Sequence, residues 1–115
     1  EALEERSWSV RHLASRALVQ IGTSAAAELI EKLASPYWYT RGRAARTLGW
    51  IGAEKALPAL LPLLNDSNRY VRAAAAETLG ELGDRGALGE LEAALDDEDD
   101  FEVREIIRDS LLVLR

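Results

Sequence analysis

A short motif returns four times along this 115-residue chain. It reads VRHLASRALVQIG from Val10, TRGRAARTLGWIG from Thr40, VRAAAAETLGELG from Val71 and, more loosely, VREIIRDSLLVLR from Val103. Its arginines, Arg11, Arg41, Arg72 and Arg104, stand 30, 31 and 32 residues apart. A second unit lies between them. Ala25, Leu29 and Leu33 return as Ala56, Leu60 and Leu64, then as Ala87, Leu91 and Leu95, each time after 31 residues. Self-similarity at such a period is the mark of a repeat architecture and limits the fold more than any other feature of the chain.

Both units read as helices. In the first, Val10, Ala14, Ala17 or Leu18, and Ile21 fall at helical spacing, as do Thr40, Ala44, Leu48 and Ile51, then Val71, Ala75, Leu79 and Leu82. Gly22, Gly52 and Gly83 follow directly, where glycine supplies the left-handed residue of a tight helix stop. In the leucine unit, Pro58 suits an early helical turn, whereas Pro62 removes a further backbone donor and is expected to bend its helix. A pair of such helices cannot bury its apolar stripe alone, but stacked pairs can. The expected fold is therefore all-α: an α-solenoid of helical hairpins with seven helices, four bearing the arginine and three leucine-rich. It forms one array over residues 1–115, with repeats at about 7–35, 36–66 and 67–97 and a partial repeat at 98–115. The opening residues EALEER, led by Glu1 rather than Met, read as the frayed end of a preceding helix of a longer array.

The segment Asp66–Asp97, with its Val-Arg pair, alanine block, Leu-Gly and turn glycine, resembles the HEAT-like repeat, in particular the short variety named after phycobilisome lyases. The resemblance covers nearly the whole chain. It implies that the Val-Arg helices line a concave face whose outward positions vary with the partner. It also implies that the register arginines are structural, bridging to an acid in the inter-helix loop, a place held here by Asp66 and Asp97 and replaced by Ser35 in the first repeat. Gly49 and Gly80 are expected to permit close helix packing.

The aromatic residues are segregated. Positions two before the register arginine and two, five and nine after it share one helical stripe. In the second repeat these are Tyr39, Arg43, Arg46 and Trp50; in the first, Ser9, Leu13, Arg16 and Gln20. In the third they are Tyr70, Ala74, Glu77 and Glu81, and in the fourth Glu102, Ile106, Asp109 and Val113. Trp8, Trp38 and Phe101 share the place three before the arginine, on the rim of the same face, which Arg69 holds in the third repeat; Tyr37 is one further back. No leucine helix contains an aromatic residue. Aromatic and arginine side chains are the usual anchors of protein interfaces. The candidate partner-binding set is Trp8, Arg16, Trp38, Tyr39, Arg43, Arg46, Trp50, Arg69, Tyr70 and Phe101. The alternative for the rim aromatics is packing of one repeat on the next. Along the array the stripes turn from basic to acidic, which would orient an extended partner of opposite polarity.

Charge follows the same division. Residues 1–50 hold 7 Lys and Arg against 5 Asp and Glu, and residues 51–115 hold 7 against 15, for a net charge of −6. Nucleic-acid binding needs clustered cations, so it is the less favoured reading, although Arg11, Arg16, Arg41, Arg43, Arg46 and Arg69 offer a local basic patch. The acidic run Asp96–Asp100 reads as a solvated loop. One histidine, His12, and no cysteine leave little for a transition-metal site, and neither a phosphate loop nor a nucleophile elbow is present. A non-catalytic protein or peptide scaffold without cofactor is therefore expected, with a bilin-lyase-like subunit or fragment as the enzymatic alternative that the resemblance brings. No apolar run approaches a membrane span and no signal pattern opens the chain, so a cytoplasmic location is expected. The last helix, with Ile106, Ile107, Leu111, Leu112, Val113 and Leu114 and no leucine helix after it, is expected to leave an apolar end suited to self-association.

Overall fold

A computed structural model describes residues 25–115. The first arginine helix and Gly22, with Trp8, Arg11, His12 and Arg16, lie outside the described residues. Those residues hold six helices instead of the seven expected, and no strand. Helix α1 includes residues 25–32; α2 is Trp38–Trp50, α3 Leu57–Leu60, α4 Arg69–Leu82, α5 Leu88–Asp97 and α6 Phe101–Leu114. The arginine helices α2, α4 and α6 lie side by side with α4 in the middle, while α3 and α5 pack behind them as a second layer. Among the described residues the largest fully buried side chains are Leu48, Leu60, Leu79, Leu91, Ile107, Val71, Val103 and Thr78, and no described aromatic ring is buried.

Helix ends follow local chemistry. Gly52 and Gly83 have φ of 69° and 71°, the left-handed stops read from the sequence. The α-helical part of α3 ends at Leu60, and Leu61–Asn65 tightens into a 3-10 turn around Pro62, which has no N–H to continue the α pattern. Asn68 caps α4 by accepting from the Tyr70 and Val71 N–H groups, and Asp100 caps α6 by accepting from Val103 N–H. The equivalent place before α2 is Tyr37, which offers no cap. Tyr37→Asp is therefore expected to raise stability by about 0.5–1 kcal/mol, the gain of a cap less the loss of one exposed ring contact. The check is the urea midpoint at unchanged slope; no gain would mean that the Tyr37 ring itself supports α2.

The register arginines form a ladder. Arg41 donates to both carboxylate oxygens of Asp66 at 2.8 and 3.0 Å and to the Ser35 carbonyl at 2.8 Å. Arg72 donates to both oxygens of Glu98 at 2.8 and 3.0 Å and to the Asp66 carbonyl at 2.9 Å. Arg104 donates to the carbonyls of Glu98 and Leu95. Asp66 and Glu98 thus each serve two arginines, the side chain holding the one before it and the carbonyl the one after. The acid is Glu98, not the expected Asp97. The reading of Asp96–Asp100 as a wholly solvated loop is corrected with it, because the Glu98 side chain is only 3% exposed and Asp100 is both a cap and an ion-pair partner.

Hydroxyls key the helices together. Thr78 Oγ1 donates to the Ala45 carbonyl at 3.0 Å, and Ser110 Oγ to the Ala76 carbonyl at 2.6 Å. Opposite them stand the small residues expected to allow close approach. A Cβ on Gly49 would lie 2.8 Å from Thr78 Cγ2, and one on Gly80 would lie 2.7 Å from Ser110 Oγ and 3.2 Å from its Cα. The docking side of α2 is thus Gly42, Ala45 and Gly49, and that of α4 is Ala73, Ala76 and Gly80. At the same places α6 carries Glu105, Arg108 and Leu112, the first two joined as an ion pair. The small-residue seat of α2 and α4 is therefore not repeated on the outer side of α6. The expected apolar end is also smaller than its composition implied: Ile107, Leu111 and Leu114 are buried, leaving Leu112 and Val113 exposed and Ile106 half-buried.

Candidate functional site

The stripe positions of α2, α4 and α6 form four rows across one face. From the N-terminal helix ends the rows are Tyr39–Tyr70–Glu102, Arg43–Ala74–Ile106, Arg46–Glu77–Asp109 and Trp50–Glu81–Val113. All four α2 members are exposed. In the middle helix the stripe is interrupted: Ala74 is fully buried and Tyr70 half-buried, because α4 has a neighbour on each side.

The aromatics divide into a cluster and outliers. Trp38 meets Tyr70 edge-on with ring centres 5.5 Å apart, and it meets Tyr39 edge-on at 5.9 Å; Tyr37 and Tyr39 stack at 5.5 Å. Tyr70 also lies over Gly42, where a Cβ would stand 2.2 Å from its ring. Trp38 therefore does both things weighed for it, joining α2 to α4 while remaining 46% exposed. Trp50 and Phe101 are 66% and 72% exposed and have no ring partner among the described residues. Such exposure of large apolar rings on one face is unusual for a surface with nothing to bind.

Two of the three described arginines of the candidate set are already engaged. Arg46 donates to Glu77 at 2.8 Å and its guanidinium carbon lies 5.4 Å from the Tyr70 ring centre. Arg69 donates to both oxygens of Asp100, at 2.6 and 3.0 Å, and to Glu102. Of the candidate arginines, only Arg43 has no ion pair among the described residues. The expected gradient from basic to acidic is thus interrupted at the α2–α4 boundary by one pair, Arg46–Glu77, while Arg43 on its basic side and Glu81 and Asp109 on its acidic side have no ion pair among the described residues. Arg46 and Glu77, 31 residues apart, are close enough to neutralise one another. The titration shifts follow these pairs. Hydrogen bonding from Arg69, then from Val103 N–H, holds the Asp100 carboxyl well below the usual range, and Asp100 and Glu102 raise Arg69 in return. Burial would push the Asp66 carboxyl up. Hydrogen bonds from Arg41 and Asn68 N–H, with the charges of Arg41 and Arg72, outweigh it and leave Asp66 lowered.

Two grooves run between α4 and α6. One, at the rim, has a volume of about 420 Å³ and is lined by Arg69, Tyr70, Phe101, Glu102 and Ile106 among others, bringing three of the expected site residues together. The other, of about 410 Å³, is lined by Glu77, Glu81, Ile106, Asp109 and Val113 over a floor of Gly80 and Ser110. The expected set did not include Glu77, Glu81 and Asp109. Their stripe positions are the signal that marks them in the sequence. No group of three His, Cys, Asp or Glu side chains able to hold a metal ion occurs among the described residues, and no described helix is long and apolar enough to cross a membrane.

The family model for HEAT repeats matches residues 26–111, and the one for the PBS lyase HEAT-like repeat matches residues 10–35. Among curated proteins, the phycocyanobilin lyase subunit alpha of Picosynechococcus sp. is 43% identical over 58 residues, covering 50% of this chain and 22% of that protein. Among solved structures, the crystal structure of epoxyqueuosine reductase with a tRNA-Tyr epoxyqueuosine-modified tRNA stem loop aligns with a TM-score of 0.62 and 32% identity. That alignment covers 65% of this chain and 20% of the reductase chain. This chain therefore spans about a fifth of the length of either protein.

Proposed function

The chain belongs to the HEAT-repeat family, and from that premise we propose that it is a non-catalytic scaffold that binds a protein or peptide across the α2–α4–α6 face. One observation carries the reading: of the described aromatic rings all but the half-buried Tyr70 are exposed, with Trp38, Tyr39 and Trp50 grouped on that face. The scaffold itself does not ask for them. Trp50 shares its row with Glu81 and Val113, and Tyr37 sits where α4 and α6 place capping Asn68 and Asp100. A position that gives up a cap worth about 1 kcal/mol for an exposed ring points to a use other than folding. Arg43 and the half-buried Tyr70 extend the surface, and Phe101 marks its far rim.

The test is selection from a displayed random-peptide library on the native chain, followed by affinity measurement on a Trp38→Ala, Tyr39→Ala, Trp50→Ala variant of equal helicity. Selected peptides are expected to lose about 1000-fold or more in affinity, given two or three anchors at roughly 2 kcal/mol each. Affinities unchanged by the triple substitution would remove this face as the site.

A second reading, nucleic-acid binding, is favoured by the similarity to a reductase solved with a tRNA stem loop. Against it, Arg46 and Arg69 spend their charge on Glu77, Asp100 and Glu102, and phosphate would compete with carboxylates already in place. Binding to an RNA stem loop that weakens steeply with salt would favour this second reading. The lyase-like alternative rests on similarity to part of one subunit, and bilin transfer to a candidate acceptor is its assay.

A further inference from the structure

The inner α4–α6 groove differs in chemistry from the rest of the face. Of its three carboxylates, Glu77 is held by Arg46, whereas no ion pair reaches Glu81 or Asp109 among the described residues. The basic side chains around it are already engaged: Arg46 with Glu77 at the groove's edge, Arg69 with Asp100 and Glu102, and Arg108 with Glu105. The walls are aliphatic, from half-buried Ile106 and exposed Val113. The floor is small: Gly80 adds no side chain, and Ser110 turns its hydroxyl to the Ala76 carbonyl, so it asks nothing of a ligand. Exposed Trp50 holds the same row as Glu81 and Val113 on the neighbouring helix.

We propose that this groove takes a lysine or arginine side chain from a basic peptide segment, an inference that rests on the reading of the face as a peptide-binding surface and names the chemistry of its partner. A long methylene stem suits the Ile106–Val113 walls, and its cationic head suits carboxylates that have no internal counter-ion. Like charges lining one groove repel each other, and a cation placed between them relieves that repulsion. The same carboxylates disfavour an acidic peptide or a phosphate backbone at this place. The occupant is thus chosen by charge, while the neighbouring aromatic cluster supplies contact area without regard to sign.

The probes are three fluorescently labelled, acetylated and amidated octapeptides with leucine at alternate positions, the others being arginine, glutamine or glutamate, read by anisotropy at near-physiological salt. The arginine peptide is expected to bind about tenfold tighter than the glutamine peptide. Glu81→Gln with Asp109→Asn is expected to erase that preference. Asp96→Asn with Asp97→Asn removes as much charge outside the groove and should leave the preference in place. Equal loss in both double variants would mean a net-charge effect and overturn the proposal. Equal binding of all three peptides, abolished by the Trp38, Tyr39, Trp50 triple substitution, would overturn it while the scaffold reading stands. Failure of every peptide to bind the native chain would overturn both.

Discussion

Replacing Arg72 with methionine is expected to destabilise the chain by about 3–5 kcal/mol, because it leaves a buried carboxylate without its counter-charge. Glu98 is the partner, with its side chain 3% exposed, and both of its oxygens accept from Arg72. After the substitution one backbone donor remains to it, the Asp100 N–H at 3.0 Å. The carbonyls of Asp66 and Ser67 lose a donor as well. The measurement is urea unfolding followed by circular dichroism, with the slope checked for constancy. The double variant Arg72→Met, Glu98→Gln should recover part of the loss, since a neutral amide costs less to bury than an unpaired charge. Arg46→Ala is the contrast. Arg46 and Glu77 are both about half exposed, so their pair is expected to contribute less than about 1 kcal/mol. If Arg72→Met cost no more than Arg46→Ala, the arginine ladder would not be what ties the loops together.

Gly80→Leu is expected to cost about 3 kcal/mol or more and to detach α6 from the array. The substitution copies into α4 the residue that α6 carries at the same place, Leu112. The Cβ alone would meet Ser110 at 2.7 Å from Oγ and 3.2 Å from Cα, and the second contact is backbone. Rotating Ser110 cannot relieve it; α6 must move, taking the bond from Ser110 to the Ala76 carbonyl and the packing of Ile107 and Leu111 with it. The gain in helix propensity on leaving glycine, about 1 kcal/mol, offsets only part of this. Hydrogen exchange should report the difference by element: protection lost in α6 while α2 keeps its own. Leu112→Gly, the reverse change on an exposed position, is expected to cost only about the helix-propensity difference, roughly 1 kcal/mol. Equal protection of α6 in native and Gly80→Leu chains would contradict the close packing described for this pair.

Much of the fold was legible because it is written in a period. The glycine stops at 52 and 83, the disturbance at Pro62 and the close approach at Gly49 and Gly80 each follow from one residue whose backbone or size permits a single solution. The acid that receives Arg72 was misplaced by one residue for a physical reason. Counting 31 onward from Asp66 gives Asp97, but the last spacing between register arginines is 32, and the added residue lies in that loop. Counting back six from each arginine gives Ser35, Asp66 and Glu98, the residues whose carbonyls Arg41, Arg72 and Arg104 hold. The guanidinium measures distance from its own helix, not from the preceding repeat.

The site was less legible. A stripe on one helix can be drawn from sequence, but whether its residues reach solvent depends on neighbours, and α4 has two of them; hence Ala74 is buried. Charges 31 residues apart looked like a gradient along the face because sequence gives their order without their separation. Folding pairs Arg46 with Glu77 across two stripes, and Arg69, beside its stripe, with Asp100. What remains unpaired on the described stripes, Arg43, Glu81 and Asp109, is visible only once the pairs are subtracted.

The four rows across α2, α4 and α6 also set a metre for whatever crosses them. Packed helix axes stand roughly 8–10 Å apart, and an extended chain advances about 3.3 Å per residue. A chain laid across the helices in the polyproline II form, three residues per turn at about 3.1 Å each, therefore presents every third side chain to successive helices, and the residues between point elsewhere. Recognition on such a surface has a triplet grammar. A conservative substitution at an off-beat position would pass unread, whereas inserting one residue in the partner would scramble every contact beyond it.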